Sequence, residues 1–312
     1  MSGGLLLDAA AGLVLVQPRA RLLVSLNSNV VTSLAIARAS RPFQVLTDAQ
    51  AEPTVSFFEV WRNAGTAGVP VPTIDHVALS IDASLVPWSL HASAFGSSGR
   101  GIGEPRPGFD PEAGQSPYRF GDSRTAGVEL RAAHSPSQPG GASWAITYVL
   151  SWSQRNFAGE WVPWQIDRRH QARLQADLPL GRRWTALGET EFASGQPITP
   201  VEEVIWTHHP PSDDPRQPLT SPSYRFAAEG SDRSRPTYSV SAGLRGVFSG
   251  PFRLHTVLAV SVTNLTFGPV APEVPMSIQE LYKFESRRAG GVPLVRRYAL
   301  PAVPSILLAI NF

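Results

Sequence analysis

Between Trp144 and Trp152 the large side chains fall on every second position: Trp144, Ile146, Tyr148, Leu150 and Trp152 alternate with Ala145, Thr147, Val149 and Ser151. Successive side chains of a strand point to opposite faces, so the segment predicts a strand with one greasy face and one small, weakly polar face. The same polarity recurs along the chain. Ile306, Leu308, Ile310 and Phe312 alternate with Leu307, Ala309 and Asn311, and Phe252, Leu254, Thr256, Leu258, Val260 and Val262 alternate with Arg253, His255, Ala259, Ser261 and Thr263. Tyr238 to Phe248, Trp184 to Phe192, Ala172 to Leu178, Ala126 to Ala132 and Trp88 to Ala94 repeat the theme, and further strands are placed near 74–84, 29–39, 19–26 and 5–16. The pattern predicts an all-β protein, an antiparallel transmembrane β-barrel or open partial barrel of about 12 strands with long extracellular loops. Greasy faces meet lipid, small polar faces meet a lumen, and the terminal tryptophans sit at the two headgroup levels.

The links support this reading independently. Short ones at 27–29, 85–87, 135–141, 178–183 and 249–251 alternate with long ones at roughly 40–73, 97–123, 154–168, 194–237 and 265–303. Barrels of the bacterial outer membrane have short periplasmic turns and long extracellular loops, and a chain ending in an aromatic at the periplasmic side gives each of these links the matching side. The link near 17–18 is the exception, short where a long loop is expected. A soluble β-sandwich also alternates, but its strands run ~5–6 residues, whereas several here keep the pattern for the ~9–11 that a tilted membrane strand needs.

Composition changes the picture in three places. The absence of cysteine suits an oxidising envelope compartment. Net charge is +2, and Lys283 is the single lysine among 27 basic residues; the arginines stand singly on inward faces or in loops rather than in one basic stripe, which argues against a nucleic-acid partner. The 29 prolines and 26 glycines concentrate in the long links and mark them as loops. At the N-terminus Met1 to Ala9 carries no Lys or Arg and Asp8 interrupts the apolar run, so the segment does not read as a secretory signal.

Four local motifs stand in a characteristic order: Gly127-Val128-Glu129-Leu130, Asp167-Arg168-Arg169-His170-Gln171, Ser194-Gly195-Gln196-Pro197-Ile198-Thr199-Pro200 and Val262-Thr263-Asn264-Leu265. Their order and spacing resemble the C-terminal part of the barrel of TonB-dependent outer-membrane receptors, from about Pro18 to Phe312 and most closely after Ser123. Asp167, Arg169, His170, Ser194, Gly195, Pro197 and Asn264 match family positions, and Leu308, Ile310 and Phe312 resemble the terminal signal read by the barrel assembly machinery. The resemblance implies an outer-membrane protein in contact with lipid, taking up a scarce nutrient such as a siderophore, cofactor or oligosaccharide. The family's plug domain and TonB-contacting segment have no counterpart in these residues, and its barrels have about 22 strands. The chain therefore reads as one barrel domain, residues 1–312, forming the C-terminal portion of a longer receptor and not expected to touch TonB itself. A truncated, non-transporting barrel is the alternative.

No catalytic centre, cofactor or resident metal is expected. His208 and His209 beside Asp213 and Asp214 carry metal-ligating chemistry, but Pro210, Pro211 and Pro215 make an irregular exposed loop the better reading. Glu189 and Glu191 share an inward face and suit solvated pairing with arginines such as Arg173 better than glycoside hydrolysis. Asp167 to His170 lacks a nucleophile and reads as a strand-end ion cluster. Trp161 and Trp164, with His208 and His209, are the candidate extracellular ligand contacts, the tryptophans by stacking, with packing in the outer aromatic girdle as the competing role.

Overall fold

The structure, a computed structural model, describes residues 2–10, 13–46, 60–65, 68–105, 118–137, 140–157, 159–164, 166–208, 220–249, 255–263, 274–275, 294–295 and 303–311. Twelve strands follow one another in a single antiparallel meander: β1 (Ser2–Ala10), β2 (Leu13–Ser25), β3 (Val30–Ser40), β4 (Thr73–Leu85), β5 (Trp88–Pro105), β6 (Tyr118–His134), β7 (Ser143–Asn156), β8 (His170–Leu180), β9 (Trp184–Ala193), β10 (Thr237–Ser249), β11 (His255–Thr263) and β12 (Val303–Asn311). Among the described residues no pairing joins β1 to β12, so the sheet is an open, partial barrel. The predicted strands all appear, with two corrections. The first link lies between Ala10 and Leu13, not at 17–18, because Pro18 is a strand residue opposite Leu5, placed just before β2 begins to pair with β3 at Arg19. Proline is tolerated there because a residue without an N–H can sit where the ladder does not call on it. The expected link at 97–123 also shrinks, since β5 and β6 run on to Pro105 and from Tyr118.

The distribution of exposure is the reverse of a soluble domain. Buried apolar side chains among the described residues are Leu15, Ala64 and Ala193, whereas Gln17, Ser33, Ser123, Ser151, Ser153, Arg155 and Asp167 are all buried. Leu79, Leu130, Leu174, Leu178, Leu244 and Leu308 are exposed on the opposite face. A sheet buries the small side chains of its concave side, so it curls around its polar face. The Ser33–Ser80 and Thr125–Ser153 hydroxyl contacts, 2.8 and 3.0 Å, run along that inner side. Exposing so many leucines to water would forfeit roughly 1.5–3 kcal/mol each, and a lipid surround removes that cost.

The apolar band has edges. At the turn end Trp88 packs edge-on against Trp144 at 5.2 Å and against His134 at 5.1 Å, and Trp184 meets Phe248 at 5.5 Å. Trp144 and Trp152 then lie eight residues apart on the same face, roughly 27 Å along a strand, or about 20 Å of height once the strand tilts. Beyond it, on the outer face at the loop end, come charges: Arg38 with Asp75 at 2.7 Å, and Arg124 with Gln154 at 2.7 Å. Trp144 is opposite Ala176, itself opposite Gly188, which is four residues from Trp184. The turn-end aromatics of β7 and β9 are therefore staggered, as the shear of a closing sheet requires.

Candidate functional site

The candidate site is the inner face from mid-sheet to the loop end, where β5, β6 and β7 outrun the apolar band. The alternation that puts Ser151 and Ser153 inside carries Arg155 inside as well, on the end of β7. On β5 a bulge between Gly99 and Ile102 inserts one residue, Gly99 facing Ser123 and Ile102 facing Gly121. The bulge switches β5's parity, so Glu104 points inward against Arg119. Glu104 pairs with Arg119 (Nε to Oε1 2.7 Å) and with Arg155, and both guanidiniums also reach Glu229 in the long link before β10, Arg119 at 2.7 Å. Phe157 covers the pair, 4.6 Å from the Arg119 guanidinium and 5.6 Å from that of Arg155. Two arginines and two glutamates cancel, which makes this half-buried cluster a fastening between wall and loop; Arg155 Nε is buried without a partner among the described residues.

A second fastening lies beside it. Asp167, 2% exposed, accepts the Ser153 backbone N–H at 2.9 Å and pairs with Arg233; Arg233 also donates to the carbonyls of Asp167 and Gly195, each at 2.9 Å. Arg169 stands 3.6 Å from Asp167. His170 N–H donates to Ser194 Oγ at 3.1 Å and Ser194 N–H donates to the His170 carbonyl at 2.8 Å. Gly195 is required because a Cβ there would overlap the Ser234 carbonyl, and buried Pro197 pairs with Arg233 in a two-residue antiparallel bridge that closes the loop, Pro197–Ile198 with Asp232–Arg233. The structure thus gathers Asp167, Arg169, His170, Ser194, Gly195 and Pro197 into one knot that pins two long loops to the rim of β7.

Arg233, Glu229, Glu104 and Arg119 were missed in the sequence. Arg155 was legible from the Ser151–Ser153 parity, but its partner Glu104 is 51 residues away and past a parity-switching bulge. Of the remaining candidates, Trp161 faces outward: it pairs with Asn156 and carries the Arg124 guanidinium 4.2 Å above its ring, so it belongs to the outer girdle rather than to the mouth. Trp164 is half-buried and anchors its loop through its N–H to the Ser153 carbonyl at 3.0 Å. His208 ends the hairpin strand Val201–His208; His209, Asp213, Asp214, Asn264, Phe252, Leu254 and Phe312 lie outside the described residues. Leu308 projects outward and is 61% exposed, and Ile310 lies in β12. Among the described residues no group of His, Asp and Glu is arranged to hold a metal ion.

Mid-sheet, the inner face carries a polar row across six strands: Asp82, His91, Arg131, Thr147, Arg173 and Glu191 face one another in register. His91 Nδ1 lies 2.7 Å from Asp82; Arg173 lies 2.8 Å from Glu189 and 3.3 Å from Glu191. The sequence expectation of Glu189 and Glu191 paired with Arg173 is met.

No protein family and no curated protein matches the chain. Among solved structures, the toluene transporter TodX of Pseudomonas putida is similar, with 9% identity, a TM-score of 0.34, and coverage of 81% of this chain and 69% of that one. At that distance it contributes nothing to the reading of the site, which rests on the chain's own geometry.

Proposed function

We propose that the chain forms the wall and mouth of an outer-membrane β-barrel through which a small solute passes, of the TonB-dependent receptor type. The observation that carries the reading is the inverted burial: polar side chains inside, leucines outside, on strands whose apolar stretch is bounded by aromatic side chains. The mouth adds to it, because two ionic fastenings hold the long loops in place above the inner face, as a recognition surface needs. The receptor type rests on the six motif positions that meet at one knot. In this reading lipid covers the outer face, the barrel assembly machinery inserts the chain, and Leu308, Ile310 and Phe312 form its signal.

The test is expression of the full chain behind a secretory signal in a Gram-negative host, followed by fractionation, unheated and heated electrophoresis, and swelling of proteoliposomes in small sugars. The expected result is outer-membrane recovery, a band that shifts on heating, and sugar-dependent swelling. A soluble product overturns the membrane reading. A heat-shifting band without swelling would instead favour a structural barrel.

A further inference from the structure

The inner wall between β6 and β10 holds a cavity of about 530 Å³ lined by Arg131, Thr147, Arg168, Gln171, Arg173 and Glu191 among others. Most of the charge around it is already spent. Arg173 is held by Glu189 and Glu191, Gln175 donates to Glu189 at 2.9 Å, and His91 is held by Asp82. Arg131 sits between these two satisfied pairs, exposed to the lumen, and no carboxylate among the described residues lies within ion-pair distance of it or of Arg168. Glu129, two residues along the same inner face and opposite Ser93 and Val149, forms no ion pair with Arg131. Both arginines therefore line one cavity, and among the described residues no hydrogen bond or ion pair commits either guanidinium.

We propose that this cavity is a recognition site for a small organic anion, a carboxylate or phosphate, with Arg131 and Arg168 as its charge partners. The inference deepens the proposed function by naming a class of solute, and rests on that reading. A guanidinium offers a planar fork that matches a carboxylate or phosphate in two parallel hydrogen bonds. The Thr147 hydroxyl and the Gln171 amide supply neutral groups for the rest of the solute, and the volume falls in the range of small-molecule sites. A neutral sugar of the same size gains neutral hydrogen bonds from the two guanidiniums but no ion pairing, and charge-assisted bonds are the stronger ones.

The probe is citrate, titrated calorimetrically into the full chain refolded in detergent at low salt, with maltose as the neutral control. The expected result is citrate binding that weakens at least tenfold in Arg131→Gln, weakens in Arg168→Gln, falls with added salt, and is unchanged in Arg124→Gln on the outer face. Citrate should also protect Arg131 and Arg168 of the unsubstituted chain from phenylglyoxal, read by mass spectrometry, which needs no variant to fold. Absence of citrate binding, equal binding of maltose, or binding that survives both substitutions together overturns the proposal. The heat-shifted band separates the two readings: kept without citrate binding, the site falls and the barrel stands; lost in the unsubstituted chain, both fall.

Discussion

Replacing Asp167 by alanine is the sharpest probe of the mouth. The carboxylate is 2% exposed and serves three partners: the Ser153 N–H, Arg233 and, more loosely, Arg169. Removing it strands a buried N–H, worth about 1–3 kcal/mol, and takes the counter-charge from Arg233, where breaking a buried pair costs about 3–5 kcal/mol. Arg233 is 31% exposed and keeps the Gly195 carbonyl, so the lower end applies. We expect about 3 kcal/mol, or a roughly 150-fold rise in loop opening. The loss is local, because the knot joins loops to the rim and contributes nothing to the ladders of β1 to β12. Hydrogen exchange should therefore accelerate by about two orders of magnitude at Ser153, His170, Gln196 and Ser234, whose N–H groups belong to the knot, while Thr147 and Val149 on the same strand hold their rates. Asp167→Asn, which keeps an acceptor for Ser153 and loses the charge, should fall between. Unchanged exchange at Ser153 and Ser234 in Asp167→Ala would refute the knot, and uniform acceleration across β7 would refute its locality.

Other substitutions test the remaining links. Leu130→Arg places a cation on the outer face near mid-band, at a cost of about 2–4 kcal/mol, and should reduce the heat-shifted fraction, whereas Ser93→Arg on the inner face should leave it near normal; equal losses would remove the assignment of faces. Gly127→Ala brings a Cβ within 2.6 Å of both the Leu150 carbonyl and the Phe95 ring and should lower the yield of assembled protein, measured as membrane-inserted band. Gly195→Ala should expose the 194–236 link to protease without changing the heat shift, and resistance equal to the parent would count against the knot. Deleting Phe312 should slow insertion in a cell-envelope assembly assay, and an unaltered yield would argue against a terminal signal.

Period-two alternation by itself determined about twelve strands and the face that most of their side chains take, because a strand writes its two surfaces into neighbouring residues. It also determined which links are short and which are long, since link length follows directly from the chain. The first link escaped it: Pro18 looks like a breaker, and only the partner register, with β3 pairing beginning at Arg19, shows that the ladder can carry it. The motif positions from Asp167 to Pro197 were legible one by one, yet Arg233, which binds them together, lies 66 residues beyond Asp167 and has no local mark. The bulge that turns Glu104 inward and the outward rotation of Trp161 were likewise decided by register between strands. Alternation is a nearest-neighbour property and survives in the sequence; the pairing of charges across loops depends on stagger, bulges and curvature, which exist only once the sheet has formed.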